Sequence, residues 1–237
     1  MQVKLKYFTP LQIAIDAIRN CWESGAKGDA GGPKDMDLIR RIIHKNKHES
    51  TIEHLHYNFE IDGISRGCLQ ELARHRIASY SVKSTRYTLK ELLKAESFDD
   101  FMGFLVSSGN NQIDDLNVQR LRIMQELKEK GVPNDTLKYL LPEAYKTHLH
   151  FSINARSLRN FLKLRLSMSA HPEIRKLAEM IGERIPDSHF IIYEDLLPAK
   201  IPENTQTTQD ISIEKDCNIC ETSKNVNISE YRGREGF

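Results

Sequence analysis

The sequence predicts a mixed α/β domain with more helix than strand. Two stretches alternate apolar and polar residues at the period of a half-buried strand: Leu55, Tyr57, Phe59 and Ile61, then Leu149, Phe151 and Ile153. A larger number of segments repeats apolar residues at helical spacing. Strand and helix alternate too irregularly for a doubly wound sheet. The chain has no Gly-x-Gly-x-x-Gly and no P-loop, so neither a Rossmann nor a Walker site is supported.

Taken in order, Thr9-Pro10-Leu11-Gln12 reads as a helix start. Thr9 is a capping residue, Pro10 suits the first helical position and Gln12 completes a capping box. Leu11, Ala14, Ile15, Ile18 and Trp22 follow as its apolar stripe. Residues 25–33 form a glycine-rich loop, and a helix over residues 36–46 turns Leu38, Ile39, Ile42 and Ile43 inward. The first alternating strand ends in a turn at Asp62-Gly63. A short helix spans residues 65–74, and Thr88 caps another over Leu89–Lys94. Residues 97–111 give no clear signal. A long helix over residues 112–130 stops at Gly131, and Asn134 caps a further turn before Pro142. After the second strand, Asn154 caps a helix through Ser167 with Leu158, Phe161 and Leu162 on its apolar side. Pro172 opens one more, reaching Ile185. Residues 198–237 turn polar and lose periodicity, which predicts a mobile tail after a folded domain of residues 1–197.

Among 237 residues, Lys and Arg total 34 and Asp and Glu 33, and 39% are hydrophobic. A near-neutral chain lacks the positive surplus of a general nucleic-acid coat, so any anion site must be local. No apolar run approaches the roughly 20 residues of a membrane span. The first residues, Met1 to Tyr7, lack the apolar stretch of a secretory signal. Four cysteines, Cys21, Cys68, Cys217 and Cys220, are too sparse for a disulfide scaffold. These features predict a soluble cytoplasmic protein without nucleic-acid or membrane partners.

Four constellations carry chemistry. Residues 74–87 pack Arg74, Arg76, Arg86, His75, Lys83 and several hydroxyls into fourteen positions that fit neither helix nor strand spacing. A solvated basic loop is one reading. The other is an anion and ring site, because a guanidinium forks onto phosphate oxygens and stacks on ring faces. The block His48-Glu49-Ser50-Thr51-Ile52-Glu53-His54 has metal-ligand residue types, but His-Glu-x-x-His needs a histidine where Ile52 stands. It reads either as a polar connection or as a place where His48 and Ser50 face a ligand ring. In the helix after Asn154, Arg156 and Asn160 share one face at 100° per residue, and Arg165 lies back under Asn154, three turns on. That helix is either an ordinary amphipathic one or a helix between a ligand and a subunit interface. Cys217-Asn218-Ile219-Cys220 is half a zinc site at most, with no second pair in the chain. No metal is predicted.

Together these segments resemble the flavin-dependent thymidylate synthases, the ThyX family. The family signature is Arg-His-Arg, seven residues, then Ser, found as Arg74-His75-Arg76 and Ser84 and continued by Arg86-Tyr87. The His48–His54 block and Asn154-Ala155-Arg156-Ser157-Leu158-x-Asn160-Phe161 are also similar to the family's. The resemblance implies an α+β fold, a helix-rich single domain around a small mixed or antiparallel sheet. It implies an FAD-containing homotetramer, with sites shared between subunits, that methylates dUMP to dTMP. Methylenetetrahydrofolate would give the carbon, and NADPH the hydride through the flavin.

By position, the resemblance places His48, Ser50, Arg74, His75, Arg76, Ile77, Asn154, Arg156 and Asn160 at FAD. It places Ser84, Thr85, Arg86, Lys138, Arg74 and Arg165 at dUMP, with either Gln70 or, counting back from Arg74, Glu71. Arg165 would be the catalytic residue, steadying charge on the uracil ring as its nitrogen ionises. Three positions depart from the family. Ser81-Val82 stands for Asn-Glu, Lys138 replaces a forked arginine by a point charge, and the Gln70/Glu71 choice is open. A serine nucleophile needs an adjacent base. The charged neighbours of Ser84 are Lys83 and Arg86, neither of which accepts a proton at neutral pH, so Ser84 is assigned to binding. Cys68 is assigned to the core.

Overall fold

A computed structural model describes residues 1–199; the mobile-tail expectation and Cys217 and Cys220 lie outside the described residues. Both alternating stretches belong to one four-stranded antiparallel sheet. Its strands are β1 (Gln2–Phe8), β2 (His56–Ser65), β3 (Ala78–Val82) and β4 (Lys146–Asn154), in the order β1-β2-β4-β3. In the central pair Tyr57 faces Ile153, Phe59 faces Phe151 and Ile61 faces Leu149 across the ladder. These six side chains are buried on one face, whereas His56, Asn58, Glu60, His148, His150 and Ser152 occupy the other. A slip of one residue would exchange the two faces, so burial itself fixes the register.

Six of the ten helices among the described residues, the first three and the last three, pack on the apolar face. The ten are α1 (Gln12–Cys21), α2 (Pro33–Arg40), α3 (Arg66–Leu72), α4 (Thr85–Thr88), α5 (Phe98–Gly103), α6 (Asn111–Glu129), α7 (Asn134–Leu137), α8 (Ala155–Arg165), α9 (Pro172–Glu183) and α10 (Phe190–Tyr193). The main core joins the sheet to α1, α2, α3, α8, α9 and α10 through residues such as Ile15, Ile39, Leu72, Phe161, Leu177 and Ile192. A second, smaller core lies among α5, α6 and α7, around Phe101, Leu121, Met124 and Leu137. Each large core side chain contributes about 1.5–3 kcal/mol by leaving water.

Several elements differ from the sequence expectation. The run after Arg76 does contain a strand, β3, which shows the helix core only Ala78 and Tyr80; Tyr80 stacks 5.3 Å from Phe151. β1 has no counterpart among the predicted elements. Asp62-Gly63 is not a turn but a bulge inside β2, where Gly63 takes φ +76°, a value that a side chain would strain. Thr9 does not cap α1; its hydroxyl accepts the His56 amide at 3.0 Å, and the Gln12 side chain donates to Asp16. Trp22 points outward. α2 starts at Pro33 and continues as a widened turn over Arg41–Lys45. Thr88 ends α4, and Leu89–Lys94 is a 3-10 turn. Asn134 lies inside α7 and donates to the Arg86 carbonyl at 2.6 Å. Residues 97–111 supply α5, closed by a capping box between Ser97 and Asp100. The caps expected at Asn154 and Gly131 both form: Asn154 accepts the Ser157 amide at 2.8 Å, and Gly131 takes φ +86°.

One buried histidine links this core to pH. The Tyr57 hydroxyl lies 2.7 Å from Nδ1 of His189, whose Nε2 has no hydrogen-bond partner among the described residues. Burial lowers the His189 pKa to about 4 from the ordinary 6.5. The unfolded chain therefore takes up a proton before the folded one does. The contribution of His189 to stability is intact above pH 6.5 and is lost as pH falls through about 4. A shift of that size corresponds to about 3 kcal/mol. Urea unfolding followed between about pH 7 and about pH 4 is expected to show this decline, and His189→Gln to flatten much of it. An undiminished decline in His189→Gln would transfer the effect to other groups.

Candidate active site

Two connections shape the site. The chain leaves α3 at Leu72, turns at Ala73 and Arg74, where the Arg74 and His75 amides donate back to the Glu71 and Leu72 carbonyls, bends at Ile77 and enters β3. The chain also leaves β4 at Asn154 and enters α8 directly, because the Asn154 side chain caps that helix. Along α8, Arg156, Asn160 and Leu164 recur every four residues on one face, while Leu158, Phe161 and Leu162 pack inward. The connection and this helix face enclose a cleft of about 1120 Å³.

Arg74, His75, Arg76, Ile77, Asn154, Arg156, Asn160 and Arg165 all line it. His48 and Ser50 are not on its wall. Their block contributes Glu49 and Glu53 instead, from a 3-10 turn over Glu49–His54. Ser157, Leu164, Ser169 and Ala170 complete the lining. The sequence signal for Glu49 and Glu53 was their four-residue spacing in a histidine-rich block, which also fits a solvated surface.

At the inner end, Arg165 is held from three sides. Its Nη1 donates to Glu71 Oε2 at 2.8 Å, its Nη2 to the Glu71 carbonyl at 3.2 Å, and its Nε to His75 Nε2 at 3.2 Å. An accepting Nε2 requires neutral His75 with its proton on Nδ1. Burial, together with the charges of Arg165 and Arg74, lowers the His75 pKa below its ordinary value and keeps that form. The ring also meets Phe161 edge-on, 5.0 Å between centroids. Glu71 is thus the residue tied to Arg165, whereas Gln70 turns away and donates to Glu143 at 2.8 and 3.0 Å. Cys68 is buried, and its thiol pKa is raised by burial and by the charges of Glu173 and Glu71. It is held as the neutral thiol, in keeping with a core role.

The remaining predicted substrate residues gather elsewhere. Arg86 pairs with Asp135 at 2.8 Å, and α4 packs against α7, where Lys138 follows one residue after the helix end. None of Ser84, Thr85, Arg86 and Lys138 is on the cleft wall. One chain therefore carries two separate polar clusters.

The cleft suits a cofactor carrying a diphosphate and a fused ring. Arg156 is paired with Glu53 and Arg165 with Glu71, but Arg74 and Arg76 make no ion pair among the described residues. Both are exposed and present their donors. Asn154, Asn160 and the apolar Ile77 and Leu164 line the cleft beside them. No helix among the described residues is long and apolar enough to cross a membrane.

A sheet covered on one face by helices, with a cationic cleft at a strand-to-helix junction, has the form of a binding site for phosphate-bearing ring compounds. Residues 5–188 match a family described as thymidylate synthase complementing protein, Thy1. The chain is 50% identical over 202 residues to a flavin-dependent thymidylate synthase of Campylobacter jejuni, an overlap covering 83% of this chain and 98% of that relative. It is 49% identical over 208 residues to one from Helicobacter pylori, covering 83% and 99%. It is also similar to a crystal structure of the Helicobacter pylori flavin-dependent thymidylate synthase ThyX complexed with FAD and dUMP. The TM-score is 0.79 at 49% identity, with 84% of this chain and all of that one covered. The chain belongs to the family of flavin-dependent thymidylate synthases.

Proposed function

We propose that this protein converts dUMP to dTMP by reductive methylation, with FAD as cofactor and methylenetetrahydrofolate and NADPH as co-substrates. The observation that carries the assignment of roles is the fixed guanidinium of Arg165 at the inner end of a cleft rich in cations. Arg74 and Arg76, with Arg156, hold the FAD diphosphate. His75, Ile77, Asn154 and Asn160 contact the rest of the cofactor, with His48 and Ser50 close by. FAD, when bound, supplies the hydride equivalent that it receives from NADPH.

The chain's own residues prepare the pyrimidine. Methylation at a ring carbon requires that carbon to be electron-rich. Cys68 cannot make it so by attack, because it is buried as a neutral thiol. Arg165 instead faces the uracil and stabilises negative charge as the ring nitrogen gives up its proton. Glu71 and His75 keep the Arg165 plane from rotating, so its donors are aimed before dUMP arrives. Glu71 also takes the dUMP contact that was open between it and Gln70. Ser84, Thr85, Arg86 and Lys138 hold the phosphate.

The two clusters of one chain support a site completed by a neighbouring subunit. In this reading the assembly is a homotetramer, and Ser84, Thr85, Arg86 and Lys138 of one protomer reach over the cleft of another. The test is direct. Purified protein should be yellow with the flavin spectrum and should form dTMP only when dUMP, methylenetetrahydrofolate and NADPH are all present. A colourless protein that binds neither FAD nor dUMP, both in excess, would overturn the assignment.

A further inference from the structure

Arg159 lies one position before Asn160 on α8 but points away from the cleft and is only 6% exposed. Four of its five N–H donors are engaged. Nη1 donates to Asp195 Oδ1 at 2.7 Å and to the Ile192 carbonyl, and Nη2 to Asp195 Oδ2 at 2.9 Å. Nε donates to Glu49 Oε1 at 3.1 Å. Asp195 completes its surroundings with His44, whose Nδ1 is 3.5 Å from Oδ1. Among the described residues, Glu49 is the one partner of Arg159 that also stands on the cleft wall. The hub therefore joins α8, α10 and the Glu49–His54 turn, and it reaches the ligand site through a single carboxylate.

That carboxylate has the wrong sign for its place. The cleft gathers Arg74, Arg76, Arg156 and Arg165 for an anionic ligand, and Glu49 is a negative charge among them. Arg159, whose single positive charge is shared with Asp195, partly offsets the Glu49 charge from behind, and Glu49 Oε1 is turned to the buried Nε. Without Arg159, Glu49 would either oppose the ligand or capture one of the cleft arginines. Both outcomes lower the positive potential that the ligand meets.

We infer that Arg159 is a positioning residue for cofactor affinity: it masks and tethers Glu49, so that the cleft keeps its positive potential for a diphosphate-bearing ligand. This rests on the assignment of FAD to the cleft. The roles separate by substitution. Arg159→Met removes both mask and tether. Asp195→Asn disturbs the buried hub yet leaves the Arg159 charge on Glu49. Arg159→Met/Glu49→Gln removes the mask together with the charge that needs it.

The experiment is titration of each apoprotein with FAD, read by flavin fluorescence, alongside thermal melting. Arg159→Met is expected to weaken FAD binding about tenfold or more, and the double variant to return within about threefold of wild type. Asp195→Asn should lower the melting temperature while holding FAD affinity within about threefold. Unchanged affinity in Arg159→Met, or a double variant as weak as the single one, would overturn the inference and leave Arg159 a structural residue. So would an Asp195→Asn variant that binds FAD as weakly as Arg159→Met. If Arg159→Met does not fold, Arg159→Lys carries the test, with a severalfold loss that Glu49→Gln must reverse. Wild-type protein that takes up no FAD would overturn the cofactor assignment and this inference with it.

Discussion

Arg165→Ala is expected to lower the rate of dTMP formation by about 100- to 1000-fold, the usual scale for deleting a preorganised donor aimed at developing charge. FAD should stay bound. Its proposed contacts come from Arg74, Arg76, Arg156 and Asn160, and only the inner end of the cleft is altered. The loss has two physical parts. The uracil ring loses the cation that steadies its ionised nitrogen. Glu71, which now balances Arg165 at 2.8 Å, is left as an uncompensated carboxylate beside the incoming substrate. Arg165→Lys separates these parts: a lysine keeps the charge near Glu71 but loses the fork and the Nε–H held by His75. The lysine variant should recover part of the rate and remain well below wild type. Steady-state turnover with the flavin spectrum recorded on the same samples decides the matter. Near-normal turnover in Arg165→Ala would remove Arg165 from the chemistry.

The sequence was most legible where one physical constraint acted alone. β2 and β4 showed in the alternation because they are central strands with a single buried face. The edge strands did not. β3 turns only Ala78 and Tyr80 inward, and its other residues are polar or exposed, so it resembled a loop. Asp62-Gly63 has the chemistry of a turn, and only pairing with β4 shows that the same positive φ serves a bulge. The cleft followed a similar rule. Arg74–Ile77 and the Arg156/Asn160 face could be read from residue type and helical spacing. Glu49 and Glu53 could not, because their place depends on a 3-10 turn packed against α8. Arg159 was hidden for a different reason: its partners lie 110 residues before it in the chain and 36 after it. The resemblance supplied proposed residue roles that spacing alone did not, and the fold gathers those residues in two clusters.

That division leads to the second large effect. On the proposed assignment, Arg165→Ala should disable the cleft half of a site, and Arg86→Ala the phosphate half, in which Arg86 is now paired with Asp135 at 2.8 Å. Each variant alone should be nearly inactive, since every one of its sites carries a damaged half. In tetramers formed from equal amounts of the two, about a quarter of the sites should pair an intact cleft from one protomer with an intact Ser84-Thr85-Arg86 segment from another, by random assortment. Activity should therefore return to about a quarter of wild type on mixing, although neither parent is active. Native mass spectrometry of differently tagged protomers shows whether mixed assemblies have formed. Mixed tetramers with no regained activity would mean that each protomer builds its own site, and that the α4–α7 cluster folds over the cleft of its own chain when substrate binds. Regained activity would place Arg86 and Arg165 in one site from two chains, because no rearrangement within a single damaged chain restores the missing guanidinium.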